Sequence, residues 1–512
     1  MDIVRAYCAT SIGLEVVPVT VEASTSRGIG IHIVGLPDSS VKESLLRVIS
    51  AMECYGFHFP GWKLVINMAP ADIRKEGSGF DAAIAIATLL ATKELPPLSA
   101  ENFLIVGELA LDGGMRPVSG ILPIAVQARK LGFKACIFPK DNALEACEIQ
   151  GVDIFGVESL LEITQILKDP SSAVPVSKLP RLPAPASEKK EQYDFADVKG
   201  QSYAKRGLEI ACSGGHNVLL CGSPGSGKSF MAKCMAGILP PMSHEESMST
   251  SMIYSVAGKM IGRRGLIKER PFRSPHHTAS MVSIVGGGAN ASPGEISLAN
   301  AGILYLDEML EYPSSVLEVL RQPLEDREIM ISRARYKVCF PCSFMLVGSM
   351  NPCPCGYAGD PTHHCSCSPG AIDRYRSKLS GPLMDRMDLN ITVFPVKADE
   401  LVSEGRAESS AEIARRVLRV RALQIERFRP ENADGQGKFF CNAQMSAQMI
   451  SRYCPLGKEE KDYVTKIMER YGLTGRGYSR MLKVARTIAD MDGSEDIHIP
   501  HLAEAVQFRM MV

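Results

Sequence analysis

Residues 217–229 read NVLLCGSPGSGKS. Asn217 to Cys221 is a short apolar run and reads as a buried strand. It enters Gly222, Ser223, Pro224, Gly225, Ser226, Gly227, Lys228 and Ser229, the pattern G-x-x-x-x-G-K-S, and a helical stretch from Phe230 to Gly237 follows. Strand, glycine loop and helix are the context that gives this pattern chemical meaning. The glycines let backbone N–H groups curl around phosphate oxygens, and the helix N-terminus adds its positive dipole end. Lys228 is placed to reach β- and γ-phosphates, and Ser229 to ligate Mg²⁺. A chance Gly/Ser turn is the bland alternative; the full pattern in its proper context speaks against it.

Downstream, Ile303 to Leu306 is an apolar run that fits a buried parallel strand, and it ends in Asp307 and Glu308. Asp307 is expected to hold Mg²⁺ through water and Glu308 to polarise the attacking water. Two acids there could instead cap a helix. Paired with the glycine loop upstream, they favour ATP hydrolysis over kinase-type transfer, because the second acid serves as a base for water. A third strand, Ser343 to Gly348, leads to Met350, Asn351 and Pro352. Asn351 could orient the same water; an isolated strand-end Asn is more often a turn former.

The chain around these strands has 512 residues with 57 Lys+Arg and 57 Asp+Glu, so its formal charge is zero. That excludes a uniformly basic nucleic-acid binder and leaves only local clusters. The N-terminus does not read as a signal peptide, and no apolar run is long enough for a transmembrane helix. Fifteen cysteines without a secretion signal favour a reducing cytoplasm.

Residues 168–191 are rich in Pro, Ser and charge and read as an extended linker. They separate a front domain, 1–167, from an α/β core, 192–396, and a helical lid, 397–512. The front alternates strand-like runs (Gly30 to Val34, Lys63 to Asn67, Phe103 to Val106, Ala135 to Phe138) with helical segments (Ser39 to Tyr55, Phe80 to Thr92, Leu122 to Leu131), an α/β or α+β pattern. The core opens with a helix, Ser202 to Cys212, and the lid holds helices at Ser410 to Phe428, Glu459 to Tyr471 and Ser479 to Asp490. Residues 1–168 carry 14 Lys+Arg and 19 Asp+Glu, whereas residues 192–512 carry 39 and 35. Neutrality therefore hides an acidic front and a mildly basic back.

Cys353, Cys355, Cys365 and Cys367 form a C-x-C…C-x-C array with His363 and His364 beside it. Four thiolates can surround Zn²⁺ tetrahedrally and staple a short loop. Reduced free cysteines and a redox-sensitive pair are the alternatives.

The order of Asp194 to Gln201, glycine loop, acidic strand and Asn351 resembles the AAA+ ATPases. Arg273 to Thr278, Pro293 to Ala299, Leu306 to Met309, Asn351 to Gly356 and Val484 to Asp490 narrow the resemblance to the magnesium-chelatase-like branch, and closely to the ComM/YifB family. The likeness spans essentially the whole chain. It implies a multidomain α/β protein with a Lon-protease-like front domain, an AAA+ P-loop core and an all-α lid. It also implies a homohexameric ring with ATP between subunits, assembled alone or with its ligands. A neighbour's arginine then stabilises the transition state. By resemblance that residue is Arg386, with Arg374 and Arg376 as weaker choices, and the sensor arginine of the lid is Arg476, with Arg480 as runner-up.

Such a ring would take DNA (single-stranded, double-stranded or branched) through its pore, with recombination proteins as candidate partners. Lys259, Arg263, Arg264, Lys268, Arg270 and Arg273 face one acid, Glu269, and Gly286 to Gly288 follow. This stretch resembles a basic hairpin projecting into the pore, where Lys and Arg bind phosphate without sequence preference. A solvated charged face is the competing reading. A second hairpin, Arg327 to Phe340, offers Arg333, Arg335 and Lys337, for which salt bridges between subunits compete.

The front domain resembles the domain of Lon proteases. The nucleophile position falls on Gly79, one residue after Ser78, and the lysine position on Leu122. A serine without a base is a poor nucleophile, so the domain reads as non-proteolytic; Ser78 with Lys75 is the surviving protease alternative. The expected function is an ATP-driven hexameric DNA helicase or translocase that promotes branch migration of recombination intermediates during natural transformation. A chelatase-type protein remodeller and an ATP-dependent protease are the alternatives.

Overall fold

The computed structural model describes residues 3–58, 62–72, 75–96, 100–179, 193–288, 291–332, 337–396, 407–433 and 439–509. The front strands are β1 (Val4–Ile12), β2 (Glu15–Ser26), β3 (Ile31–Val34), β4 (Lys63–Ala69), β5 (Phe103–Ile105), β6 (Glu108–Leu109), β7 (Met115–Arg116), β8 (Ala135–Pro139) and β9 (Asp153–Val157). Seven of them form one mixed sheet in the order β3-β4-β2-β1-β5-β8-β9. The long β1/β2 pair is antiparallel and turns at Gly13, whose φ is +61°. This pair is absent from the strands expected above; its Pro18 lies where β2 pairs with β1 alone.

The helix Asp81–Ala91 is apolar all round, and its residues from Asp81 to Leu90 are buried. It forms the centre of the front core with the inner faces of β1 and β2. Asp81 at its first turn is buried too; Arg47 neutralises it with two hydrogen bonds, 2.7 and 3.1 Å long.

The later strands are β10 (Val218–Gly222), β11 (Phe272–Arg273), β12 (Gly286–Gly287), β13 (Ser292–Pro293), β14 (Ile303–Leu306), β15 (Glu328–Ser332), β16 (Lys337–Pro341), β17 (Met345–Met350) and β18 (Leu389–Val393). Five make a wholly parallel sheet in the order β11-β14-β17-β10-β18. Parallel pairing puts the ends of β10, β14 and β17 at one edge, which is where ligands bind in open sheets of this kind. Helices cover the sheet. The lid helices Ser410–Arg427, Lys458–Tyr471, Gly475–Asp492 and Ile499–Gln507 share a hydrophobic cluster with the core helix Ser202–Gly214. Gly207 on that core helix permits the close fit: a Cβ there would stand 2.6 Å from Ile391 and 2.8 Å from Phe508.

The front sheet and the core are docked. The front helix Ile121–Ala128 packs on the core helix His244–Val256, with Gly120 and Leu122 donating backbone hydrogen bonds to Ser255. The expected linker starts later than its composition suggests. Residues 170–172 and 176–178 form single turns, and Val176 is buried in the front core. One apolar residue with a surface to cover outweighs the prolines on either side. Residues 180–192, the remainder of that stretch, lie outside the described residues.

Candidate active site

β10 ends at Gly222, and the helix Lys228–Ile238 begins six residues on. Gly225 and Gly227 adopt left-handed φ values of +74° and +90°, which side-chain-bearing residues resist. The loop therefore closes tightly enough to aim its backbone N–H groups inward. Lys228 lies beneath it. Its amine donates to the carbonyls of Gly222 (2.7 Å) and Ser223 (2.9 Å) and to Asn351 Oδ1 (3.3 Å). Burial lowers the lysine's pKa, with nearby Asp307 and Glu308 acting in the opposite sense.

Asp307 follows β14 and receives Ser229 Oγ at 3.0 Å and Tyr305 OH at 2.8 Å, along with the Ser349 hydroxyl. Burial alone would raise its pKa; the hydroxyl donors outweigh burial and hold it below the usual carboxylate range. Ser229 and Asp307 thus pair a hydroxyl with an ionised carboxylate, both oxygen ligands suited to Mg²⁺. They fit that ion, whose charge offsets that of the triphosphate when bound. Glu308 is exposed at the strand end, with its own backbone in the left-handed region at φ 49°. Its N–H is fastened to Ser349 Oγ at 3.1 Å. A non-glycine residue held in this conformation is strained by about 1–2 kcal/mol, and such strain gathers at working sites.

Arg386 sits elsewhere. It precedes β18, which runs parallel to β10, and its carbonyl accepts Asn217 Nδ2 at the start of β10. It is therefore at the opposite edge of the sheet from its own glycine loop, roughly 15 Å away along a five-residue strand. Its guanidinium is buried against Glu325 and donates to Pro382 O at 2.7 Å. Arg476 reaches the other oxygen of Glu325 at 3.6 Å from a largely exposed position. The two arginines expected to act on ATP are thus brought together. They line a cavity of about 560 Å³ with Glu325 and Gly475. Glu325, which links them, carries no motif and was missed. Arg480 is bound to Asp388 at 2.7 Å and anchors the lid to β18. Arg374 and Arg376 are exposed, and Arg376 donates to Pro352 O at 3.2 Å.

Two observations bear on the expected basic hairpin over 259–278. First, the glycine tip belongs to a separate two-residue hairpin, β12/β13, and residues 259–268 lie against the front domain instead. Gly262 and Gly265 donate backbone hydrogen bonds to Asp141 O and Leu144 O, and Lys268 lies 3.6 Å from Glu148. Second, Arg270 and Arg273 are engaged internally. Arg270 spans Glu246, Pro240 O and Ala301 O, and Arg273 makes two hydrogen bonds to Glu295, at 2.6 and 2.7 Å. These ion pairs account for both charges without a phosphate. Lys259, Arg263 and Lys268 remain exposed, and Arg264 is half-buried. In the second hairpin Lys337 is exposed at the start of β16, while Arg333 and Arg335 lie outside the described residues.

The four cysteines converge. Among the described residues, Cys353, Cys355, Cys365 and Cys367 form the one group of thiols, imidazoles or carboxylates placed to hold a metal ion, with their sulfurs within 4.8 Å of one another. His363 instead stacks on Tyr357, and His364 is exposed.

In the front domain Gly79 and a fully buried Leu122 occupy the expected positions of the protease pair. Ser78 donates to Glu108 and Lys75 to Pro70 O, so the alternative Ser78–Lys75 pairing is not made. Both Ser78 and Glu108 line a cavity of about 800 Å³ between front and core, alongside Ser119 and Lys259.

Lys228, Asp307 and Asn351 meeting at the carboxyl edge of a parallel sheet, with a helical lid packed on that sheet, is the arrangement of an AAA+ ATPase. Family models agree. "Magnesium chelatase, subunit ChlI" matches residues 194–401, "Subunit ChlI of Mg-chelatase" residues 21–142, and the corresponding C-terminal model residues 407–509. The chain is 40% identical over 515 positions to Competence protein ComM of Haemophilus influenzae, covering 100% of this chain and 98% of that protein. It is 39% identical to YifB of Escherichia coli, covering 99% and 97%. It belongs to the ComM/YifB family of magnesium-chelatase-like AAA+ proteins. Membership implies ATP hydrolysis with Mg²⁺. A Lon-like N-terminal region is also shown; the archaeal Lon protease of Methanocaldococcus jannaschii is 27% identical over 107 residues, covering 21% of this chain and 16% of that protein. Among the described residues no helix is long and apolar enough to cross a membrane.

Proposed function

We propose that this protein is an ATP-driven hexameric DNA helicase or translocase that moves branch points of recombination intermediates during natural transformation, in the cytoplasm. The observation that carries the ring is the separation of Arg386 from its own glycine loop. An arginine at the far edge of the sheet can meet a γ-phosphate only in a neighbouring subunit. Lys228 and the loop N–H groups bind the triphosphate, and Ser229 and Asp307 hold Mg²⁺. Glu308 takes a proton from the attacking water as its oxygen bonds to phosphorus and the bond to ADP breaks. Asn351 orients that water. Arg386 and Arg476 of the adjoining subunit stabilise the developing charge.

DNA as the substrate is supported by full-length similarity to a protein named for competence. The contacts proposed for it are Lys259, Arg263, Arg264, Lys268 and Lys337, together with Arg333 and Arg335. The four thiols take a structural zinc ion. The domain limits proposed are 1–167 in front, extended by the turns up to residue 178 that pack on it, with 192–396 as motor and 397–512 as lid. The test is ATP hydrolysis with and without DNA, together with strand movement on three-strand and four-way junctions. Intact hydrolysis that DNA neither stimulates nor couples to strand movement would favour the second reading, a remodeller of a partner protein, which the chelatase family match supports.

A further inference from the structure

The four sulfurs are arranged as a cage. Cys353 and Cys355 lie 3.3 Å apart, and each is 3.6 Å from Cys365. Disulfides would need about 2.0 Å between sulfurs. A tetrahedron of thiolates at about 2.3 Å from zinc has edges of about 3.8 Å. The observed separations approach that figure before any ion is added. Cys353 Sγ also accepts the Ala358 N–H at 3.2 Å. Such a donor stabilises a thiolate and fixes its direction.

The loop held by this cage rests on the phosphate loop. Asp360, midway between the cysteine pairs, accepts from Thr362 and lies close enough to the Ser223 side chain for both hydroxyls to hold its carboxyl well below the usual carboxylate range. Gly356, at φ +88°, lies so near Pro224 that a Cβ would approach its Cδ to 2.6 Å. The segment also begins at Asn351, which accepts from Lys228 at 3.3 Å. Three contacts thus join one short cysteine-bound segment to the limb of the loop that must wrap the triphosphate.

We propose that zinc in the four-cysteine cage acts as a clasp on the phosphate loop, so that ATP affinity depends on whether the cage is filled. This rests on the reading of Gly222 to Ser229 as the ATP site. Binding takes all four cysteines as thiolates around Zn²⁺ and releases to solvent those thiol protons still present; no electrons are transferred. The clasp fixes Ser223 and Pro224 through Asp360 and Gly356, lowering the ordering cost that nucleotide would otherwise meet.

The experiment uses the full chain purified without added metal. Zinc is measured by mass spectrometry, and binding of a fluorescent ATP analogue is measured for the protein as isolated, after chelation, and after zinc alone is restored. One zinc per chain is expected, with ATP affinity falling tenfold or more on removal and returning on restoration. Because the stripped protein could unfold, Asp360→Asn and Gly356→Ala are measured alongside; each should retain zinc and bind ATP severalfold more weakly. Full zinc occupancy with ATP affinity unchanged by chelation and by both substitutions overturns the clasp. Absence of zinc from folded, ATP-binding protein overturns the metal itself. Failure of every form to bind ATP overturns the ATP-site reading beneath it.

Discussion

Arg386 is paired with Glu325 inside its own subunit, and Arg476, ninety residues further along the chain, reaches the same carboxylate. The two arginines proposed as finger and sensor therefore occupy one place, at the sheet edge opposite their own phosphate loop. Arg386→Ala should leave ATP binding intact and lower hydrolysis by about 10³-fold or more, the usual worth of such an arginine. Mixing it with a Lys228→Ala variant should restore part of the activity, since some interfaces then combine an intact loop with an intact arginine. Steady-state phosphate release measures both. No recovery on mixing would contradict action across an interface.

Glu308 presents its side chain to solvent from a strained backbone, while Asp307 beside it is tied to three hydroxyls. Glu308→Gln should bind ATP and DNA but hydrolyse about 10²–10⁴-fold more slowly, the range for a lost general base. Asp307→Asn should instead weaken the Mg²⁺ dependence of ATP binding. Titrating nucleotide affinity against Mg²⁺ separates the two roles.

Glu145 lies where the front domain meets the core, near Asn142 and Ser255, and burial pushes its carboxyl up to about 7. One of its oxygens has no hydrogen-bond partner. A raised pKa means that the folded state holds a proton the unfolded state has lost, so this group favours folding at low pH. That contribution is lost as pH rises from the ordinary carboxylate value through about 7. Glu145→Gln should raise the melting temperature at pH 8 relative to the parent and flatten the decline between pH 5 and 8. Thermal melts of both proteins across that range check it; an unchanged difference at all pH values would contradict it.

Ser78 is bonded to Glu108, while Lys75 is held by Pro70. Purified protein should not degrade casein with or without ATP, and Ser78→Ala should leave ATP hydrolysis unchanged. Peptide release abolished by that substitution would contradict a non-proteolytic front domain.

Local pattern made the phosphate loop legible, because Gly225, Gly227 and Lys228 specify a backbone shape and a charge over a few residues. Asp307 and Asn351 were legible for the same reason, each ending a short apolar strand. Glu325 was not. It ends no strand and carries no motif, and its meaning arises only when Arg386 and Arg476 fold towards it. Arg270 and Arg273 show the converse: six cations over twenty residues look like a binding stripe until Glu246 and Glu295 arrive from other elements. The β1/β2 pair was not read from the sequence; its Pro18 lies where β2 pairs with β1 alone, beyond the pairing with β4. Cys353 and Cys365 stand between these cases: spacing suggested a cage, and only folding brought their sulfurs to 3.6 Å.

The central claim is tested most directly by strand movement on a synthetic four-way junction, followed on a native gel with the parent protein and Glu308→Gln side by side. The account predicts ATP-dependent resolution of the junction by the parent, stimulated hydrolysis in its presence, and binding without movement by Glu308→Gln. A parent protein that hydrolyses ATP at the same rate with and without junction, and leaves the junction unmoved, would contradict it.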